Sequence, residues 1–169
     1  MAAVGGLGRS FDVLHQITPV DLADGANSGA RINMKNYEGV AFVGYLATGT
    51  AGENPTFDVK EHTAKTGGTS ADLDVIATYY QKEEATLDGD EAWTKVTQTA
   101  ASEVTDADWD DANEVLVVFE VEADQLSDGY THVSVDVADP GTAHIGCVLA
   151  IGYGLQVQRT PGNLAQPNA

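Results

Sequence analysis

The sequence predicts an all-β fold, an antiparallel β-sandwich of jelly-roll-like form with a flexible arm at each end. Three observations lead there. Val115, Val117, Phe119 and Val121 alternate with their neighbours, and Val133, Val135 and Val137 alternate with His132, Ser134 and Asp136. That period of two is the mark of a strand with one buried face. Turn chemistry recurs at short intervals, in Asp24-Gly25, Asn27-Ser28-Gly29, Gly49-Thr50-Ala51-Gly52, Gly67-Gly68, Asp88-Gly89 and Asp128-Gly129, because glycine accepts positive φ and Asx residues bond back to their own backbone. No helical period intervenes, and closely spaced turns of this kind punctuate sandwiches and barrels.

Taken in order, residues 1–10 are glycine-rich and without apolar period, so they form a flexible N-terminal arm. Residues 11–160 form a single sandwich domain, a length sufficient for one substantial core. Strands are expected at 10–18, before the Asp24-Gly25 turn, and at 30–34, after Gly29. The run 39–46 closes at Gly49, 56–62 closes before Gly67-Gly68, and 73–81 and 92–98 flank Asp88-Gly89. Residues 114–122 and 130–137 stand on either side of Asp128-Gly129, and 145–158 is a last run rich in Gly, Val and Ile. Short helical turns are expected at 105–108, capped by Thr105, and at 122–126. Residues 161–169 hold two prolines and no pattern, and form a flexible C-terminal tail. Both ends are expected to order only against a partner.

Hydrophobic residues make up 43% of the chain, ordinary for a globular protein, but 26 acidic residues face 8 basic ones, for a net charge of −18. Such a surface repels nucleic acid and anionic membranes, whose binding needs clustered Lys and Arg. It favours solubility, and it is also the pattern of a high-salt environment. The N-terminus lacks the apolar stretch of a secretory leader, and the longest apolar run, 145–155, is short of the roughly 20 residues of a membrane-spanning helix. A soluble protein is therefore expected. The single cysteine, Cys147, permits no internal disulfide and reads as a buried, inert thiol.

Motifs of chemistry are weak. Asp106, Asp108 and Asp110 open like an EF-hand loop, but Asp111 stands where glycine is required and Val117 where the closing glutamate belongs. This segment, with Glu114, reads as a solvated acidic turn, as do Asp88, Asp90 and Glu91. His15, His62, His132 and His144 lack metal-ligand spacing and are expected at the surface, His132 on the polar face of its strand. No nucleophile elbow or phosphate-cradling loop is present. A carboxylate pair for glycoside hydrolysis has only the abundance of acids behind it. No enzyme, metal or cofactor is expected.

The aromatics point elsewhere. Tyr79 and Tyr80 are adjacent in one expected strand and must face opposite sides, so one of them faces water or a partner. Tyr79, Tyr80, Trp93 and Trp109, with Arg9 and Phe11 where the arm meets the first strand, make up the candidate protein-interface set. The segments NMKNYEGV (33–40), VAFVGYLATGTAGENPTFDVKEHT (40–63) and VVFEVEADQLSDGYTHVSVDVADPG (117–141) together resemble small β-sandwich decoration, or minor capsid, proteins of tailed double-stranded DNA viruses. The shared features are an N-Y-x-x-hydrophobic strand opening at Asn36-Tyr37 and a turn at Asp124-Gln125-Leu126 leading into the G-Y-x-x-V-x-V-D strand at 129–136.

That resemblance, spanning residues 17–159, implies a virion protein made in the host cytoplasm and bound to the capsid exterior. Its partners would be the major capsid protein and its own copies, with a trimer at local threefold positions preferred and a pentamer at the vertices the alternative. Each copy would bridge neighbouring capsomers, and many modest contacts would sum over one particle. The resemblance carries no catalytic residues. A carbohydrate-binding sandwich, stacking a sugar on Trp93, Trp109 or the tyrosine pair, is the competing class.

Overall fold

Alternation in the sequence becomes two packed sheets. In the computed structural model, which describes residues 5–49, 51, 54–109 and 112–164, the longer sheet contains β1 (Phe11–Asp21), β4 (Gly39–Leu46), β7 (Ile76–Glu84), β8 (Thr94–Ala101), β10 (Glu114–Glu122) and β12 (Ile145–Tyr153). The shorter sheet contains β2 (Asn27–Ser28), β3 (Ile32–Asn33), β5 (Phe57–His62), β6 (Ser70–Asp72), β9 (Glu103–Val104) and β11 (His132–Val137). The long sheet runs β1-β12-β4-β10-β7-β8. In the short one β11 and β5 are central, with β2 and β3 on the free side of β11 and β6 and β9 on the free side of β5.

The pairing is that of a jelly roll: first strand with last (β1–β12), β2 and β3 with β11, β4 with β10, and β5 with its neighbour β6, all antiparallel. The β7–β8 hairpin is an addition that extends the long sheet beyond β10.

The inward faces form one core. β10 turns in Val115, Val117, Phe119 and Val121, and β11 turns in Val133, Val135 and Val137. Phe42 stacks on Phe119 with ring centroids 5.6 Å apart, and Trp109 meets Phe57 edge-on at 5.8 Å. Such ring pairs contribute about 0.5–1.5 kcal/mol each beyond their buried area. Between them the sheets approach so closely that β4 carries Gly44, where a Cβ would lie 2.7 Å from the Phe57 ring.

β1 departs from regular pairing between His15 and Val20, and the irregularity turns both Gln16 and Ile17 inward. The buried Gln16 amide then links the sheets, donating to Ala30 O at 2.6 Å and accepting from Val135 N–H at 3.2 Å.

Several expectations change. The last strand ends at Tyr153, not at 158, because Gly154 turns the chain at φ +60°. The expected strand 30–34 shrinks to Ile32–Asn33, since the Asn33 side chain accepts Lys35 N–H and starts a 3-10 turn at Met34–Asn36. A 3-10 turn forms at Ala123–Gln125 as expected, but around 105–108 there is only a turn, with Trp109 N–H donating to Asp106 O. Within the expected arm, residues 5–10 form a turn on Gly6 O, and Arg159 N–H donates to Gly8 O, which joins this turn to the segment after the last strand. The rest of the arm and tail, 1–4 and 165–169, and Asp110 and Asp111 of the acidic turn lie outside the described residues.

Histidine placement is the clearest correction. His62, His132 and His144 are buried, and only His15 is exposed. His62 and His132 do point away from the core, facing each other across β5 and β11. Arg31 pins the 63–70 segment beside them, donating to Ala64 O, Gly67 O and Ser70 Oγ.

Candidate protein-interaction face

The outward face of the long sheet is apolar across most of its width. One cross-strand row reads His15, Leu149, Val43, Val118, Tyr80, Lys95. The row to one side reads Cys147, Tyr45, Leu116, Lys82, and the row to the other reads Val13, Ile151, Ala41, Glu120. Val13 is 51% exposed, Leu149 47% and Tyr80 45%, whereas Val43, Leu116 and Val118 are half-buried by their neighbours. At about 4.8 Å between strands and about 6.8 Å between rows, the apolar field covers roughly 300–400 Å². A patch of that size matches the largest apolar patch of an ordinary monomer, which is often a functional one.

The added hairpin shapes its far side. Tyr80 of β7, Val118 of β10 and Trp93, just ahead of β8, line a trough of about 290 Å³. An adjoining hollow of about 340 Å³ shares Tyr80 and Val118 and reaches Thr78 and Glu120. Trp93 is 47% exposed, and the Lys82 ammonium lies 5.3 Å from its ring centroid, a cation–π contact that holds the indole against the sheet. Along the outward side of β10 the order is Glu114, Leu116, Val118, Glu120, Glu122, so carboxylates bracket the apolar centre. Burial, and next the Glu114 charge, raise the Tyr45 hydroxyl above its ordinary pKa; burial alone raises the Cys147 thiol.

Of the residues marked from sequence, Tyr80 and Trp93 are brought together here. Phe11 joins the same face at its β1 edge, paired with Tyr153, and Arg9 is exposed in the turn before it. Tyr79 and Trp109 are in the core. The Tyr79 hydroxyl donates to Thr105 O at 3.1 Å, and Trp109 Nε1–H donates to Gln81 Oε1 at 3.0 Å. Sequence reasoning missed Val13, Val43, Tyr45, Leu116, Val118 and Leu149. The available signal was the unbroken apolar character of 115–119 and 40–46, which alternation on one face does not require.

Two polar clusters stand apart from this face. Glu84, Asp90 and Glu91 bring carboxylate oxygens within 4.8 Å of one another at the surface. Glu91 accepts the backbone N–H groups of Asp88 and Gly89, which hold its pKa below the usual value. On the outward face of the short sheet, Lys60 pairs with both Asp58 and Asp72. Beside them, burial raises the pKa of Asp136, which accepts Gly29 N–H at 3.2 Å. Glu91, Asp58, Asp72 and Asp136 are thus engaged with a lysine or with backbone, the arrangement of solvated polar surface.

Compared with protein-family models, with curated proteins and with solved structures, the chain matches none of them. Among the described residues no helix is long and apolar enough to cross a membrane. The fold and this face therefore define the class, an all-β jelly-roll sandwich with an exposed apolar sheet.

Proposed function

We propose that this chain is a virion structural protein that decorates the outside of an icosahedral capsid and stabilises it by bridging neighbouring capsomers. The observation that carries the reading is the apolar outward face of the long sheet, set on a module of net charge −18. A monomer with no partner gains nothing by exposing Val13, Leu149, Tyr80 and Trp93 on one sheet, and a surface so acidic suits the outside of a shell, away from packaged nucleic acid. Jelly rolls serve viral capsids, but also lectins and cupins, so the architecture alone does not choose. The role proposed is binding, without chemistry.

Repeated docking at many equivalent sites turns a modest contact into a stable coat. A field of roughly 300–400 Å² is at most half of the about 800 Å² that each partner contributes to a standard stable interface, in keeping with multivalent decoration. The test is sedimentation velocity of the purified chain with and without its cognate shells. A trimer that pellets with shells and raises their unfolding temperature supports decoration at threefold sites, and a pentamer moves the site to the vertices. A monomer that ignores shells overturns the proposal. A second reading, carbohydrate binding, is favoured by the side-by-side exposure of Tyr80 and Trp93; glycan-dependent quenching of Trp93 fluorescence would select it.

A further inference from the structure

We infer that the outward face of the long sheet, centred on the Tyr80–Val118–Trp93 trough, receives a protein surface with an apolar anchor flanked by basic side chains. The inference rests on the reading of the chain as a docking protein and supplies the chemistry of what it docks to. The apolar anchor follows from the trough, whose walls are two aromatic rings and a valine. The basic flanks follow from β10, where Glu114 lies on one side of Leu116 and Val118 and Glu120 and Glu122 on the other.

From Val118 at the trough, Glu120 lies two residues along the strand and Glu114 four, about 7 Å and about 14 Å at about 3.4 Å per residue. Lysine or arginine placed that far to either side of an anchor would therefore meet a carboxylate. Such a rim contributes orientation and association rate more than affinity, while the desolvated anchor contributes the affinity.

A second copy of this chain is the wrong occupant. Stacking two such faces would bring one copy's glutamates towards its partner's around a small apolar area, with −18 on each side. The field is also smaller than a stable symmetric dimer needs. The cations on this face, Lys82, Lys95 and His15, do not reverse its sign: the two lysines face Glu114, Glu120 and Glu122 of β10, and Lys95 and His15 stand at the sheet's opposite edges.

The experiment uses a synthetic peptide with a Leu-Ile-Leu centre and Arg-Arg at each end, a Glu-Glu-flanked counterpart, and an Arg-flanked peptide with a Ser-Ser-Ser centre. Binding is measured by calorimetry on the intact chain. The Arg-flanked apolar peptide is expected to bind, to weaken about tenfold between about 0.05 and 0.5 M NaCl, and to bind at least about tenfold more tightly than either counterpart. Val118→Lys is expected to abolish binding, and Trp93→Ser, outside the strands, to weaken it about tenfold with the unfolding temperature unchanged.

Equal binding of the Glu-flanked peptide, or failure of the Arg-flanked one, overturns the inference. So does a doubled sedimentation mass of the free chain that Val118→Lys removes, which would assign the face to a second copy. Shells separate this inference from the proposed function. If wild type and Val118→Lys pellet equally with shells, this face is wrong and decoration stands. If neither pellets while the peptide binds, decoration is wrong and the face stands.

Discussion

Trp93 and Trp109 are one residue type with two destinies, and the difference lies in what surrounds each indole. Trp109 is fully buried, with its N–H on Gln81 and its ring between Phe57 and Tyr79. Trp109→Ala is expected to cost about 3–5 kcal/mol in urea denaturation, the usual loss for a buried large aromatic. Trp93→Ala is expected to change stability by less than about 0.5 kcal/mol, because the ring is half exposed and its contact with Lys82 is at the surface. Nothing local in the sequence separates the two, since both lie beside acidic turns; partners from distant strands decide.

Histidine follows the same logic with a pH signature. Burial first, and then the charges of Arg31, His132 and Lys60, push His62 down to about 4; burial, Arg31 and Lys65 lower His132 as well. Both rings thus resist protonation in the folded chain, with His62 between Ser70 Oγ at 2.7 Å and Ser134 Oγ at 2.8 Å. The unfolded chain binds the proton more readily. Stability is full above the ordinary histidine pKa near 6.5 and falls as pH drops from there to about 4. The His62 contribution to that loss is expected to be on the order of 3 kcal/mol. Urea midpoints across that range should show it, and His62→Asn should flatten the slope.

At the scale of elements, β4 and β10 are central to the long sheet and apolar on both faces. Their inward residues build the core, and their outward ones build the contact field. Gly44 of β4 sets the spacing of the two sheets at that point. Gly44→Ala places a methyl against Phe57 and Val117, and is expected to destabilise by about 1–3 kcal/mol in the same denaturation assay. Gln16, freed to turn inward by the β1 irregularity, satisfies the N–H of Val135 on the opposite sheet. Gln16→Leu leaves that donor with no side-chain acceptor and is expected to cost about 1–3 kcal/mol. The β7–β8 hairpin is the element that turns a plain jelly roll into one with a trough, since it supplies Tyr80, Lys82 and, at its edge, Trp93.

At the scale of the whole molecule, charge sets solution behaviour. With 26 acids and 8 bases the folded chain repels itself, so raising NaCl from about 0.05 to 1 M is expected to raise the unfolding temperature as the repulsion is screened. An unchanged or lowered midpoint would mean that the acids are already compensated. The sequence by itself determined the sandwich class, most strand positions and the acidic surface, because period-two alternation and glycine turns are local physics written residue by residue. It showed that Tyr79 and Tyr80 must part, since neighbours in a strand cannot share a face. Only the tertiary structure decided which tyrosine went inside, that Trp109 is core, that three histidines are covered, and that Leu149, Val43, Val118 and Tyr80 form one row. Those four residues come from four strands far apart in the chain, and their adjacency exists only once jelly-roll pairing has set the register between strands.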